Sequence, residues 1–346
     1  MEMWYAPLLG SGDKKACNKK RLAVELDSLR ALGVNTVSVL AGAQFTPMPT
    51  DTVNLTKGEL ASMSADVHIL RGLDYVLGEL ARRHMTAIVV LVRDWNDASQ
   101  ATQRMEQYVE KIALLTNPFT HQPLLSDSTI RFWQMSDAPE LKQQTEVSSY
   151  VEWATTQAQK MRNRGFKQPL SVACMPSSPQ LDATEQTLQD LMSRGCIDNV
   201  ALSLDPLALG WLTPGELYSG LGKVYLRATD LLQTALRTAR AYDKTFYLTD
   251  CAYPRLAMFT RPGTNTEPRD NFLSFLFSTY ADLTENEASS PFLGIVVKGW
   301  GGLVRPTDDQ WKVPYDFTAE YPDETKGRYS VFTNDGATLK VLREGW

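Results

Sequence analysis

The 346-residue chain carries 35 Lys and Arg against 40 Asp and Glu, a formal charge of -5 with a pI near 5.4, and 43% hydrophobic residues. That balance excludes a disordered chain and, with no Lys/Arg run to offset the acidity, argues against nucleic acid or an anionic membrane as partner. The four cysteines, Cys17, Cys174, Cys196 and Cys251, show no C-x-x-C spacing, and with only His68, His84 and His121 as imidazoles no metal site is expected; whether cysteines pair is left open.

No apolar run reaches the roughly 18 residues of a membrane span, and the first residues lack a basic stretch followed by an apolar one. Trp4–Leu9 reads as a core strand so close to the start that a processed or trimmed chain is expected. Leu22, Val24, Leu26, Leu29 and Leu32 then fall at helical spacing within Lys20–Leu32, ended by Gly33, and Val34–Ala41 is a β-branched run of strand length. The unit repeats. Helix Leu70–Arg83 precedes strand Thr86–Val92, whose unbroken apolar character suits a parallel strand buried on both faces. Helix Gln103–Leu115 leads to strand Ile130–Ser136, Val147–Arg164 to Leu170–Met175, and Thr184–Arg194 to Val200–Leu204. Helix Tyr225–Tyr242 leads to Phe246–Asp250, and Arg269–Leu283 to Phe292–Lys298. About eight strand and helix alternations predict an α/β fold of the closed (β/α)8 TIM barrel type, a single domain over 1–346. The long loops 42–66, 176–182, 205–223, 252–268 and 299–328 mostly follow strands, on the face where such barrels place chemistry.

Neither a strand-linked G-x-G-x-x-G nor a G-x-x-x-x-G-K-[ST] occurs, and Gly299-Trp-Gly-Gly302 has the wrong spacing for both, so no cofactor is expected. Carboxylates and aromatics at strand ends remain, the groups of carbohydrate sites. The stretches Met3–Leu9, Glu25–Gly33, Gly72–Leu80, Ser128–Glu140, Ala252–Arg255, Arg269-Asp270, Trp300–Gly302 and Tyr321–Phe332 are each weak motifs, but together and in order the chain resembles the bacterial β-mannanase branch of glycoside hydrolase family 5. The resemblance implies a retaining endo-β-mannanase barrel, with a Glu acid/base after an Asn at the end of the fourth strand and a Glu nucleophile at the end of the seventh. Aligned on Pro139 and on Tyr253-Pro254-Arg255, the acid/base position falls on Ala138 and the nucleophile position on Asp250. Other positions of the family's active-site ring fall on Ser38, Val92-Arg93, Ser203, Asp205 and Lys298.

A retaining mechanism needs two carboxyl groups about 5–5.5 Å apart. Losing the general acid removes a contribution of about 10²–10⁴-fold, and pulling the nucleophile back by about 1 Å costs about 10²-fold. Asp137 and Glu140 are the candidate replacement acids. Strand alternation turns Asp137 away from the direction of Ala138, and Glu140 lies beyond a proline. Asp137 and Asp250 read equally well as ion-pair partners of Arg93 or Lys298. Trp95, Trp211 and Trp300, on post-strand loops, are candidate sugar platforms, whereas Trp133 reads as core. Arg255 and Asp270 read as loop anchors, Cys251 has no histidine near it in sequence to activate a thiol, and Tyr321–Phe332 reads as a closure of the barrel.

The expected function is a mannanase-like barrel that has lost catalysis and binds a β-mannan or related glycan in the old cleft, as a monomer. One alternative is an active retaining glycosidase using Asp250 with a relocated acid, and another is a scaffold with no glycan role. The resemblance alone implies a periplasmic or extracellular location.

Overall fold

A computed structural model describes all residues except 13–15, 42–65, 94, 96–97, 142, 177–180, 256–264, 286–288, 305–316, 322–323, 325 and 346. Seven aliphatic runs form β1 (Thr36–Leu40), β2 (Thr86–Val92), β3 (Ile130–Ser136), β4 (Leu170–Cys174), β5 (Asn199–Ser203), β6 (Thr245–Cys251) and β7 (Phe292–Val297). They pair in parallel in sequence order. Parallel neighbours need long crossovers. Helices Asp66–Arg82, Ala98–Ala113, Gln144–Asn163, Leu181–Met192, Leu221–Tyr242 and Glu267–Thr284 lie in the six gaps, with Lys19–Ala31 before β1 and Gly336–Glu344 at the end.

The eighth barrel position belongs to Met1–Met3. Ser38 and Met3 exchange hydrogen bonds with this segment and β1, at 2.9 Å to Met1 O and 2.8 Å to Ser38 O, while the Glu2 amide donates to Val297 O at 2.9 Å. The strand expected over Trp4–Leu9 is therefore misplaced: the barrel segment precedes it, and Ala6–Gly10 is a short helix with Pro7 in its first turn. Proline is favoured there because its missing N–H is one the helix leaves unpaired anyway. This helix sits so close to Asp66–Arg82 that a Cβ at Gly72 would lie 1.7 Å from Pro7 O, which only glycine allows.

Strand alternation splits the apolar residues into two layers. A large cluster fills the space between barrel and helices, with Trp133, Phe246 and Trp300 in it. A small inner cluster, Ile88, Phe132, Ala173, Ala201, Tyr247 and Val296, fills the barrel. Three irregularities interrupt the ladders. Arg131 is an extra residue of β3 between the pairs Ala87↔Ile130 and Ile88↔Phe132. On β7, Leu293 and Gly294 stand against Tyr247 alone, and on β6 Thr249 and Asp250 stand against Val296 alone.

The last part of the chain closes the barrel from outside. Trp300–Gly302 pairs with Val331–Phe332, and buried Glu320 accepts from the amides of Gly327, Tyr329 and Ser330 at 2.5–2.8 Å. Arg255 and Arg269 converge on Asp335 and on Ser330 O, while Asp270 accepts from Thr266 and Thr338 hydroxyls. These side chains anchor the tail, not a ligand.

Candidate active site

The C-terminal ends of the strands bring together the carboxyl groups singled out in the sequence. Asp137 follows β3, with its amide bonded to Val92 O at 2.7 Å. Its Oδ1 accepts the Ala138 amide at 3.0 Å. Ala138 packs against the inner cluster, so its methyl group occupies the barrel side of the strand end. Asp250 lies in the β6 irregularity with φ +47°, a left-handed conformation that costs most side chains but that Asp tolerates. A bulge of this kind re-aims a side chain. Asp250 and Asp137 consequently line one small cavity together with Glu2, Ser38, Gln134 and Tyr321. Asp137 is thus not on the opposite face, as alternation predicted: β3 ends at Ser136, and the period of two ends with it.

Among the described residues that cavity measures about 10 Å³, room for about one water. Around it stand Glu2, Asp137, Asp205, Asp250 and Glu324, with Lys298 and Arg93 as the nearby cations. Among the described residues carboxyls outnumber cations there, and the excess negative charge favours protonation of some of them. Burial, reinforced by the charge of Asp250, pushes Asp137 up to about 7 and raises Glu2 well above the carboxylate range. Lys298 stays firmly protonated: burial opposes its charge, but Glu324, Asp250, Glu2 and Asp205 outweigh it. Its direct ion pair is with Glu324 at 3.1 Å, and it lies 5.4 Å from the Tyr329 ring centre. Arg93 lies over Tyr321, 3.8 Å from the ring centre.

Other expected site residues are placed differently. Glu140 is exposed. Ser203 is buried at the end of β5, paired with Thr249. Asp205 is buried and accepts the amides of Leu207 and Ala208 at 3.0 and 3.2 Å, which makes it the cap of a turn; burial raises its pKa. The three tryptophans proposed as sugar platforms are core residues. Trp300 and Trp211 are 0% and 4% exposed, and Trp95 packs edge-on against Tyr150 at 4.9 Å. Trp133 is also core, with its indole N–H donating to Gln168 at 3.1 Å. Burial and Asp250 hold the Cys251 thiol well above its usual range, so it is no nucleophile, and all four cysteines are free. Among the described residues no His, Cys, Asp and Glu grouping could hold a metal ion, and no helix is long and apolar enough to cross a membrane.

Glu2, Tyr321 and Glu324 belong to the site and were missed. The signal for Glu2 was available: an acid between methionines in a segment destined for the barrel wall has nowhere to go but the core or the cavity.

A parallel barrel closed at eight positions, with carboxyl groups gathered at the C-terminal ends of its strands, defines the class as a (β/α)8 barrel with an acidic mouth where such barrels place chemistry. Residues 1–110 and 96–345 match the family model described as GH family 5 beta-mannosidase-like, and the chain belongs to that family. Among solved structures it is similar to a family 5 mannosidase from Rhizomucor miehei in complex with mannosyl-fructose, with a TM-score of 0.82 at 19% identity over 99% of this chain and 90% of that one. An endo-β-1,4-mannanase from Thermotoga petrophila gives 0.65 at 14% identity over 99% and 75%. A β-glucuronidase from Ruminococcus gnavus gives 0.54 at 11% over 93% and 44%. At these identities the likeness is one of fold. No curated protein matches the sequence.

Proposed function

We propose that the chain is a family 5 barrel that no longer hydrolyses β-mannosides and whose remaining role is to recognise a β-mannan-type glycan at the C-terminal mouth of the barrel. The observation that carries the first part is Ala138, a methyl group on the barrel side of the β3 end where the resemblance expects the acid. The neighbouring carboxyl groups support it, because Asp137 and Asp250 line a small cavity of about 10 Å³ with buried Glu2 and Tyr321 rather than an open cleft. Recognition without turnover is supported by the Rhizomucor miehei neighbour, a glutamate-to-alanine mutant seen with mannosyl-fructose bound. A periplasmic or extracellular site of action fits a polysaccharide ligand.

The test is reducing-sugar release from mannan and glucomannan at high protein loading, beside calorimetric titration with manno-oligosaccharides. No release with measurable binding is expected. Turnover that disappears in Asp250→Ala would overturn the non-catalytic reading, and absence of binding to any β-glycan would leave a scaffold.

One observation favours the active alternative. A carboxyl held protonated near neutral pH beside a second carboxyl is the usual arrangement of an acid and its partner, and Asp137, up at about 7 beside Asp250, has that form. In that case hydrolysis would fall in Asp137→Asn with an altered alkaline limb of the pH profile.

A further inference from the structure

The opposite end of the barrel holds a second and larger cavity, of about 100 Å³, between the N-terminal ends of the strands. Its walls are residues of the inner cluster, Ile88, Phe132, Tyr247 and Val296. Phe132 and Tyr247 are stacked, with ring centres 5.2 Å apart and planes 20° apart, and give it one flat side. No Asp or Glu among the described residues lines it, and Arg131 stands there with Thr36.

Two of the three ladder irregularities converge on this cavity. Arg131 is the extra residue of β3, and Leu293 and Gly294 are the extra pair of β7. In a regular strand Arg131 would face away from its neighbour Phe132. The extra residue bends the strand and re-aims the side chain, and the guanidinium lies 5.3 Å from the centre of the ring that faces the barrel interior. On the other side, Gly294 has φ +147°, and a Cβ built there would meet nothing within 4 Å. The ladders are broken where the space is.

Among the described residues the Arg131 charge at this mouth has no carboxylate opposite it. The half-buried Arg131 makes one hydrogen bond, from Nη1 to Thr36 Oγ1 at 3.4 Å, and among the described residues no carboxylate pairs with it. A guanidinium has five N–H donors in a planar fork that fits a carboxylate with two parallel bonds. An apolar cavity with one such fork selects for a ligand with an apolar body and one anionic end.

We infer that this cavity is a binding site for a small monocarboxylate, whose carboxylate takes the open donors of Arg131 and whose ring or short chain lies against Phe132 and Tyr247. The cavity of about 100 Å³ suits a single ring or a short aliphatic chain. Being at the far end of the barrel from Asp250, the site does not depend on whether glycan is bound or cleaved.

Calorimetric titration of the full chain with benzoate and butyrate, each beside its amide, tests the assignment. At least one acid should bind, and more tightly than its amide by about tenfold, the order expected for a charge-assisted contact. Arg131→Met keeps the stem over Phe132 and should abolish that preference, whereas Arg131→Lys keeps the charge without the fork and should retain part of it. Leu293→Trp, at the half-buried rim, should block entry without touching the charge. No binding of either acid, equal binding of acid and amide, or a preference that survives Arg131→Met in a protein folded by circular dichroism would overturn the inference.

Discussion

On the reading proposed above, a few side chains separate this barrel from a working retaining glycosidase. Ala138 offers no proton, and Asp250 is one methylene short of the glutamate the resemblance expects. Restoring both in Ala138→Glu/Asp250→Glu should raise mannan hydrolysis at least about tenfold over wild type, modest beside the 10²–10⁴-fold of general acid catalysis because Ser203, Asp205 and Lys298 still differ. Reducing-sugar assays check this, and a double variant no better than wild type would show that the missing acid is not the main deficit. Asp137 makes a separate prediction about stability. Its carboxyl titrates at about 7 in the folded chain and at about 3.9 when unfolded. Between those values the folded state holds a proton that the unfolded state has released, so this group makes stability fall as pH rises from about 4 to about 7. Asp137→Asn removes that dependence. Its melting temperature should therefore improve relative to wild type on going from about pH 5 to about pH 8; a constant difference in calorimetry would count against the raised pKa.

At the scale of elements, breaks in regularity decide what each end of the barrel can do. The extra residue on β6 turns Asp250 into the cavity it shares with Asp137, and those on β3 and β7 open the cavity at the other end. The tail is held by a different device, a buried ion cluster. Arg255 and Asp335 are both fully buried, with Arg269 beside them at 3.4 Å from the same carboxylate. Burial alone would raise Asp335, but the bond and charge of Arg255 together with Arg269 hold it below its ordinary value. Arg255→Met should destabilise the chain by about 3 kcal/mol or more, because breaking one side of a buried pair strands the other charge. Urea denaturation measures it, and a loss below about 1 kcal/mol would mean that Arg269 alone suffices.

For the molecule as a whole, stability depends on contacts between the first residues and the last part of the chain. Met1–Met3 supply the eighth barrel position. Trp4, 2% exposed, packs its ring 5.0 Å from Tyr321 and donates its indole N–H to Thr318 O at 2.9 Å. Tyr5 donates to Glu25 Oε2 and Trp300 O. Truncating Trp4 to Ala should cost about 3–5 kcal/mol, the range for a large buried aromatic. A shift of the urea midpoint would register it, and a near-neutral change would mean that the ring is not part of the closure.

The strand and helix order was legible because it is written in local chemistry. Thr86–Val92 and Ile130–Ser136 were read with the bounds the structure gives, since aliphatic runs between turn residues can do little else. Ala138 at the acid/base position of the family was legible only through the resemblance, aligned on Pro139, and it remains part of the proposal. The roles of Trp95, Trp211 and Trp300 were not legible, because a tryptophan after a strand looks the same in sequence whether a sugar or a helix covers it. Nor was the placement of Asp137 beside Asp250, which depends on where β3 stops and on an extra residue in β6. Sequence by itself determined the barrel, carried by periodicity and local order, while the family came from the resemblance of motifs spread along the chain. Only the tertiary structure decided which charges face each other and where the barrel is hollow. Those depend on groups distant in the chain, Glu2 with Asp250 and Arg131 with Tyr247, that meet only when the barrel closes.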